Sequence, residues 1–118
     1  IDGAHNTLAA NAVLKHLKNF YRKKKIIMVI GMMNNKEHKE FIKIFKNKVH
    51  SMVALDIPNQ VNALKKEQLL KIGKLYGIPS MSADCIKSAF KNISKKNNNA
   101  IIFCTGSLYF AGEILNLN

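Results

Sequence analysis

Short unbroken apolar runs alternate along this chain with stretches whose apolar residues recur every three or four positions. Runs of the first kind suit strands buried on both faces, and stretches of the second suit amphipathic helices laid over them. The alternation predicts an α/β fold: a Rossmann-like, three-layer, mostly parallel sheet flanked by helices. The first periodic stretch covers 7–21, with Leu8, Ala12, Val13, Leu17, Phe20 and Tyr21 on one side and Lys15, Lys18 and Arg22 facing elsewhere. Basic residues Arg22 to Lys25 suit the negative end of that helix's dipole. The run Ile26 to Ile30, closed by Gly31, reads as a central strand.

Either Asn34 or Asn35 is placed to cap a helix over 36–48, whose Phe41, Ile44 and Phe45 share a face. A strand over 49–55 follows, broken by Asp56-Ile57-Pro58-Asn59, because proline removes a backbone donor and restricts the residue before it. The next helix spans 63–76, with Leu69, Ile72 and Tyr76 inward, Gly77 suited to the left-handed closing position, and Ile78-Pro79 ending it. Ser82 or Asp84 starts a further helix through 95, with Ile86, Ala89, Phe90 and Ile93 inward and an exposed turn at Asn97 to Asn99. A last apolar strand, Ala100 to Cys104, leads through Thr105-Gly106-Ser107 into a short helix over 108–115.

A length of 118 residues, 47% of them hydrophobic, suits a single domain over 1–118. No apolar run approaches the roughly 20 residues that cross a bilayer, and the first residues lack the pattern of a secretory signal, so no membrane partner and a cytoplasmic location are expected. Cys85 and Cys104 stand outside any metal-binding or disulfide spacing and are expected to be buried, reduced thiols. His5, His16, His38 and His50 form no metal-ligand pattern, so no protein-ligated metal is expected. The net charge of +12 raises nucleic acid as a partner, yet eighteen of the nineteen basic residues are lysine, whereas bidentate recognition of phosphate and guanine favours arginine. Asn and Ile are abundant beside Lys, as an A/T-rich coding bias would give, and the charge alone assigns no partner.

In open α/β sheets ligands collect at the carboxyl ends of the strands, where loops meet helix amino termini. Three segments qualify: Asp2-Gly3-Ala4-His5-Asn6, Gly31-Met32-Met33-Asn34-Asn35-Lys36-Glu37, and Thr105-Gly106-Ser107-Leu108-Tyr109. Each sets small residues and polar groups at a helix start, where unpaired N–H groups favour an anion. Together they resemble a known family. Asp2 to Asn6 resembles the DGAHNP signature of folylpolyglutamate and dihydrofolate synthases, Thr105 to Glu113 their TGSLY..GE segment, and Gly31 to Glu37 their GMxxDKD loop, in the family's order over nearly the whole chain.

The resemblance implies the carboxy-terminal, glutamate- and ATP-closing domain of a larger Mur-ligase-like enzyme. Such enzymes use ATP and magnesium to turn a folate or dihydropteroate carboxylate into an acyl phosphate, which L-glutamate then captures. The phosphate-binding loop and magnesium ligands belong to an amino-terminal ATPase domain, the partner within the same polypeptide. A GxxxxGK[ST] loop is absent from these 118 residues, and Ile1-Asp2 reads as the end of a strand that begins earlier, so the chain alone is expected to be inactive. The parent enzyme is expected to be monomeric.

By the same resemblance Asp2, His5 and Asn6 contact ATP, and His5, Ser107 and Tyr109 contact glutamate. Lys36 serves the loop between domains, where Asn35 and Glu37 replace the family's aspartates. Thr7 replaces the usual proline, which loosens the helix start without removing a reactive group. No catalytic residue is assigned: Ser107 has no adjacent base and is expected to bind, not attack. The alternatives are a basic nucleic-acid-binding domain using Lys15, Lys18 and Arg22 to Lys25, which lacks aromatic platforms or a known RNA-binding signature, and the corresponding domain of a peptidoglycan Mur ligase.

Overall fold

The structure, a computed structural model, describes residues 7–34 except 21–23, 38–57, 61–96, 99–106 and 113–116. Its elements run α1 (Thr7–Phe20), β1 (Lys25–Gly31), α2 (His38–Lys43), β2 (Ser51–Ala54), α3 (Lys66–Leu75), β3 (Ser80–Ser82), α4 (Ile86–Lys96), β4 (Ala100–Gly106) and β5 (Glu113–Asn116). The strands form one sheet in the order β3-β2-β1-β4-β5. The first four are parallel, and β5 pairs antiparallel to β4. The mostly parallel α/β fold expected from the alternation of runs is therefore the fold observed.

Strand alternation divides the core in two. Ile26, Met28 and Ile30 of β1, Met52 and Ala54 of β2, and Ile101 and Phe103 of β4 point to the face covered by α1, α2 and α3. Ile27, Val29, Val53, Ile102 and Cys104 point to the face covered by α4 through Ala89 and Ile93. Continuous apolar runs were needed for β1 and β4 because both of their faces are covered in this way. Among the described side chains of α1, Ala10, Leu14 and Leu17 are buried. Leu17 is inward as expected and Val13 packs against the same core, while Ala12, expected inward, is exposed.

Four other expectations are corrected. The helix anticipated over 36–48 is the six-residue α2, after which Phe45 N–H bonds to Ile42 O at 3.0 Å and Lys46 N–H to Lys43 O at 3.1 Å, the tighter three-residue spacing of a closing turn. Asn47 then adopts φ 62°, a left-handed conformation that asparagine tolerates better than most residues, and that reversal prevents the helix from continuing. β3 was not anticipated: Ser80-Met81-Ser82 is three residues long with one apolar side chain, because it is an edge strand paired only with β2. The short helix expected over 108–115 gives way, over its described part, to β5, whose Glu113 to Asn116 pair with Cys104 to Ile101. Finally, Cys104 is buried as expected, but Cys85 is exposed. Gly77 does close α3 in the left-handed conformation, at φ 74°.

Candidate functional site

The connections β1-α2-β2-α3-β3 step outward on one face, and β3-α4-β4 returns across the other to the far side of β1. The winding therefore reverses between β1 and β4, and the crevice outside their carboxyl ends is where a doubly wound sheet takes ligands. Gly31 and Gly106 are register partners at that crevice, and Thr105, paired with Ile30, is fully buried beneath it. The backbone leaving β1 is held sideways: Leu64 N–H donates to Met32 O at 2.8 Å, Asn34 N–H donates to Asn62 O at 2.8 Å, and Met33 bridges Ala63. Helix α1 returns to β1 through only four residues, so it runs antiparallel to that strand.

One strand further out, the carboxyl ends of β2 and β3 carry a charged network. Asp56, just past β2, accepts the Lys66 N–H at 2.7 Å and so satisfies one of the free amides at the start of α3. The Lys66 ammonium reaches Asp84, just past β3, at 3.1 Å. That hydrogen bond, opposed by partial burial and assisted by the charges of Asp84, Asp56 and Glu67, holds the lysine above its ordinary range. A cation in the first turn of a helix opposes the macrodipole, and the two aspartates and Glu67 offset it. Gln68 adds a further cap by accepting the Lys65 N–H at 2.9 Å. Sequence reading did not find this network, since its members are 10 and 18 residues apart.

The family model described as Mur ligase, glutamate ligase domain, matches residues 1–108. The chain belongs to this family. Among solved structures, the crystal structure of Helicobacter pylori folylpolyglutamate synthetase aligns with a TM-score of 0.68 over 91% of this chain, at 18% identity. That identity carries the fold alone. The chain spans 25% of the length of that synthetase. No curated protein matches it in sequence.

For this Mur ligase glutamate ligase domain, the residues singled out from sequence, Asp2, His5, Asn6, Lys36, Ser107 and Tyr109, all lie outside the described residues. What the structure places are their anchors: Thr7 at the start of α1, Asn34 and His38 on either side of the Lys36 segment, and Gly106 before Ser107. Among the described residues no group of three or more His, Cys, Asp or Glu is placed to hold a metal ion. No helix among them is long and apolar enough to cross a membrane.

Asp84 does not cap α4, and neither does Ser82. The cap is Cys85: its Sγ lies 3.5 Å from the Ser88 N–H, and the Cys85 N–H donates to Ser88 Oγ at 3.2 Å, a reciprocal box made from a thiol and a hydroxyl. The Ser88 hydroxyl, and then the Ser88 N–H, hold the thiol below its ordinary range, against the opposing charge of Asp84. A depressed thiol keeps its thiolate at pH values where a free cysteine has lost it, and any help this gives to folding is present at high pH and disappears as pH falls through the lowered value. Alkylation by iodoacetamide at neutral pH is expected to label Cys85 faster than a free cysteine and to leave buried Cys104 unlabelled. Ser88→Ala should move the pH–rate midpoint of Cys85 upward; an unmoved midpoint would show that the hydroxyl does not set it.

Proposed function

We propose that this domain closes over the nucleotide and the incoming amino acid in an ATP-dependent ligase that adds L-glutamate to a folate or to dihydropteroate. The observation that supports this reading is the reversal of winding between β1 and β4, where Gly31 and Gly106 lie in register. β1, which leads toward Lys36, and β4, which leads to Ser107, are neighbouring strands that end in register. An anionic nucleotide or amino acid fits such a place, because the first-turn N–H groups of a helix have no partner within it and carry partial positive charge. Asp2, His5 and Asn6 approach ATP; His5, Ser107 and Tyr109 hold glutamate; Lys36 meets the rest of the enzyme.

The chemistry is carried by the substrates. The folate or pteroate carboxylate attacks the γ-phosphorus of ATP and ADP leaves. The glutamate amine then attacks the acyl carbon, loses a proton, and expels phosphate. This domain orients the amine and excludes water, and an amino-terminal ATPase domain of the same polypeptide supplies the phosphate loop and the magnesium ligands. Domain closure gates the reaction, which proceeds in the cytoplasm.

Ser107→Ala in the ligase carrying this domain is expected to raise the KM for glutamate about tenfold, the effect of one hydrogen bond to a charged carboxylate, while the KM for ATP changes little. Equal losses toward both substrates would remove the assigned role. The 118-residue chain by itself should show no ATP-dependent glutamate ligation, and turnover by it would contradict the division of labour between domains.

A further inference from the structure

The described carboxylates are segregated along the strand axis. Glu40 and Glu67 occupy the first turns of α2 and α3, and Asp56 and Asp84 follow β2 and β3, all at the carboxyl edge of the sheet. The last turns of α1, α2, α3 and α4 carry Lys18, Lys43, Lys74, and Lys95 with Lys96, all toward the amino edge. Each arrangement suits its helix dipole. Their sum is a basic pole on the side of the sheet away from the β1/β4 crevice, separated from it by the length of β1, about 23 Å.

That pole is concave. A hollow of about 600 Å³ opens between the end of α1, the start of β1 and the turn before β2. Its lining includes Lys18, Lys24, Lys25, Lys48 and His50, with the amides of Asn19 and Asn47 and, among the described residues, no carboxylate. The turn is set by two features. Asn47 holds the left-handed conformation, and His50 N–H is tied to Ile26 O at 2.7 Å, which fixes the Asn47 to His50 segment against the first residues of β1. Ammonium groups from three separate segments are thereby brought around one space of small-molecule size. Lys18, Lys25 and Lys48 repel one another there, and a multiply charged anion in the hollow would relieve that repulsion.

We propose that this hollow binds a compact polyanion, a small molecule bearing two or more phosphate or carboxylate groups. The site is separate from the crevice of the ligase reaction and does not depend on its assignment. A nucleic acid is the less suitable occupant, because the cations surround a hollow instead of forming a stripe.

The test is titration of the isotopically labelled chain with inorganic tripolyphosphate, and separately with tricarballylate, followed by amide chemical shifts. Saturable shifts centred on Lys18, Lys25, Lys48 and His50 are expected, weakened by added salt, and the tighter of the two probes identifies the anion chemistry. Lys25→Glu combined with Lys48→Glu should weaken binding about tenfold or more, the consequence of turning two attractive charges repulsive. Lys25→Gln with Lys48→Gln, which adds no repulsion to the fold, should weaken it in the same direction by less. Shifts that do not saturate, that spread equally to Lys71, Lys87 and Lys91, or that survive both double variants overturn the proposal. Tighter binding of a short random-sequence DNA duplex through the same residues overturns it in favour of nucleic acid.

Discussion

Phe45→Ala is expected to lower the unfolding free energy by about 3–5 kcal/mol, measured by urea denaturation followed by circular dichroism. Phe45 is fully buried in the turn after α2, with its ring 5.3 Å from that of Phe41 and 6.0 Å from that of Phe103 on β4. The tilted geometries, 60° and 42°, are of the kind aromatic pairs favour. The ring therefore ties the helix layer to a strand on the far side of β1, and removing it leaves a cavity that neither neighbour fills without abandoning the other. A domain of this size has a total stability of about 5–15 kcal/mol, so the loss is a large fraction of the whole. Phe45→Leu, which keeps most of the volume, should cost well under half as much. Lys46→Ala, one residue on and exposed, should change stability by no more than about 0.5 kcal/mol. A Phe45→Ala cost below about 1 kcal/mol would mean that the three rings do not form one packed unit.

The same residues show how far the sequence could be read. β1 and β4 were visible because both faces of each are covered, which forces unbroken apolar runs, and α3 and α4 because Leu69 and Ile72, or Ala89 and Ile93, repeat at helical spacing. β3 was invisible for the complementary reason: as an edge strand of three residues with partial exposure it needs almost no apolar content. The end of α2 was misplaced because its apolar positions continue to Phe45, while the stop comes from the backbone reversal at Asn47. The three loop motifs were legible as a resemblance, since such loops keep short runs of defined residue types. The Asp56, Lys66 and Asp84 network was not, because its logic is a spatial meeting of two strand ends with a helix start. Cys85 was misjudged for a related reason: a thiol is ordinarily a small core side chain, and only the position of Ser88 one turn later turns it into a helix cap.

Gly73→Val should destabilise the chain by about 1–3 kcal/mol, while Gly73→Ala should lie close to neutral. Gly73 is buried in the middle of α3, where glycine is intrinsically about 1 kcal/mol worse than alanine, so something other than helix formation keeps it there. A Cβ at this position would press against the Ser80 hydroxyl of β3 and lie 2.8 Å from the Met52 sulfur of β2. Both obstacles can move. Ser80 would give up its 2.7 Å bond to the Ile78 carbonyl, at about 0.5–1.5 kcal/mol, and Met52 would change rotamer. For alanine those losses and the gain in helix propensity are of similar size and opposite sign. For valine two more methyl groups enter the same gap and the β-branch stiffens the side chain, so α3 must lift from β2 and β3. The lift has a local signature: α3 carries Lys66, which joins Asp56 to Asp84 at the carboxyl edge, so Gly73→Val should also speed hydrogen exchange at the Lys66 amide. Equal stability of the alanine and valine variants would show that the helix is not seated on these strands through its glycine.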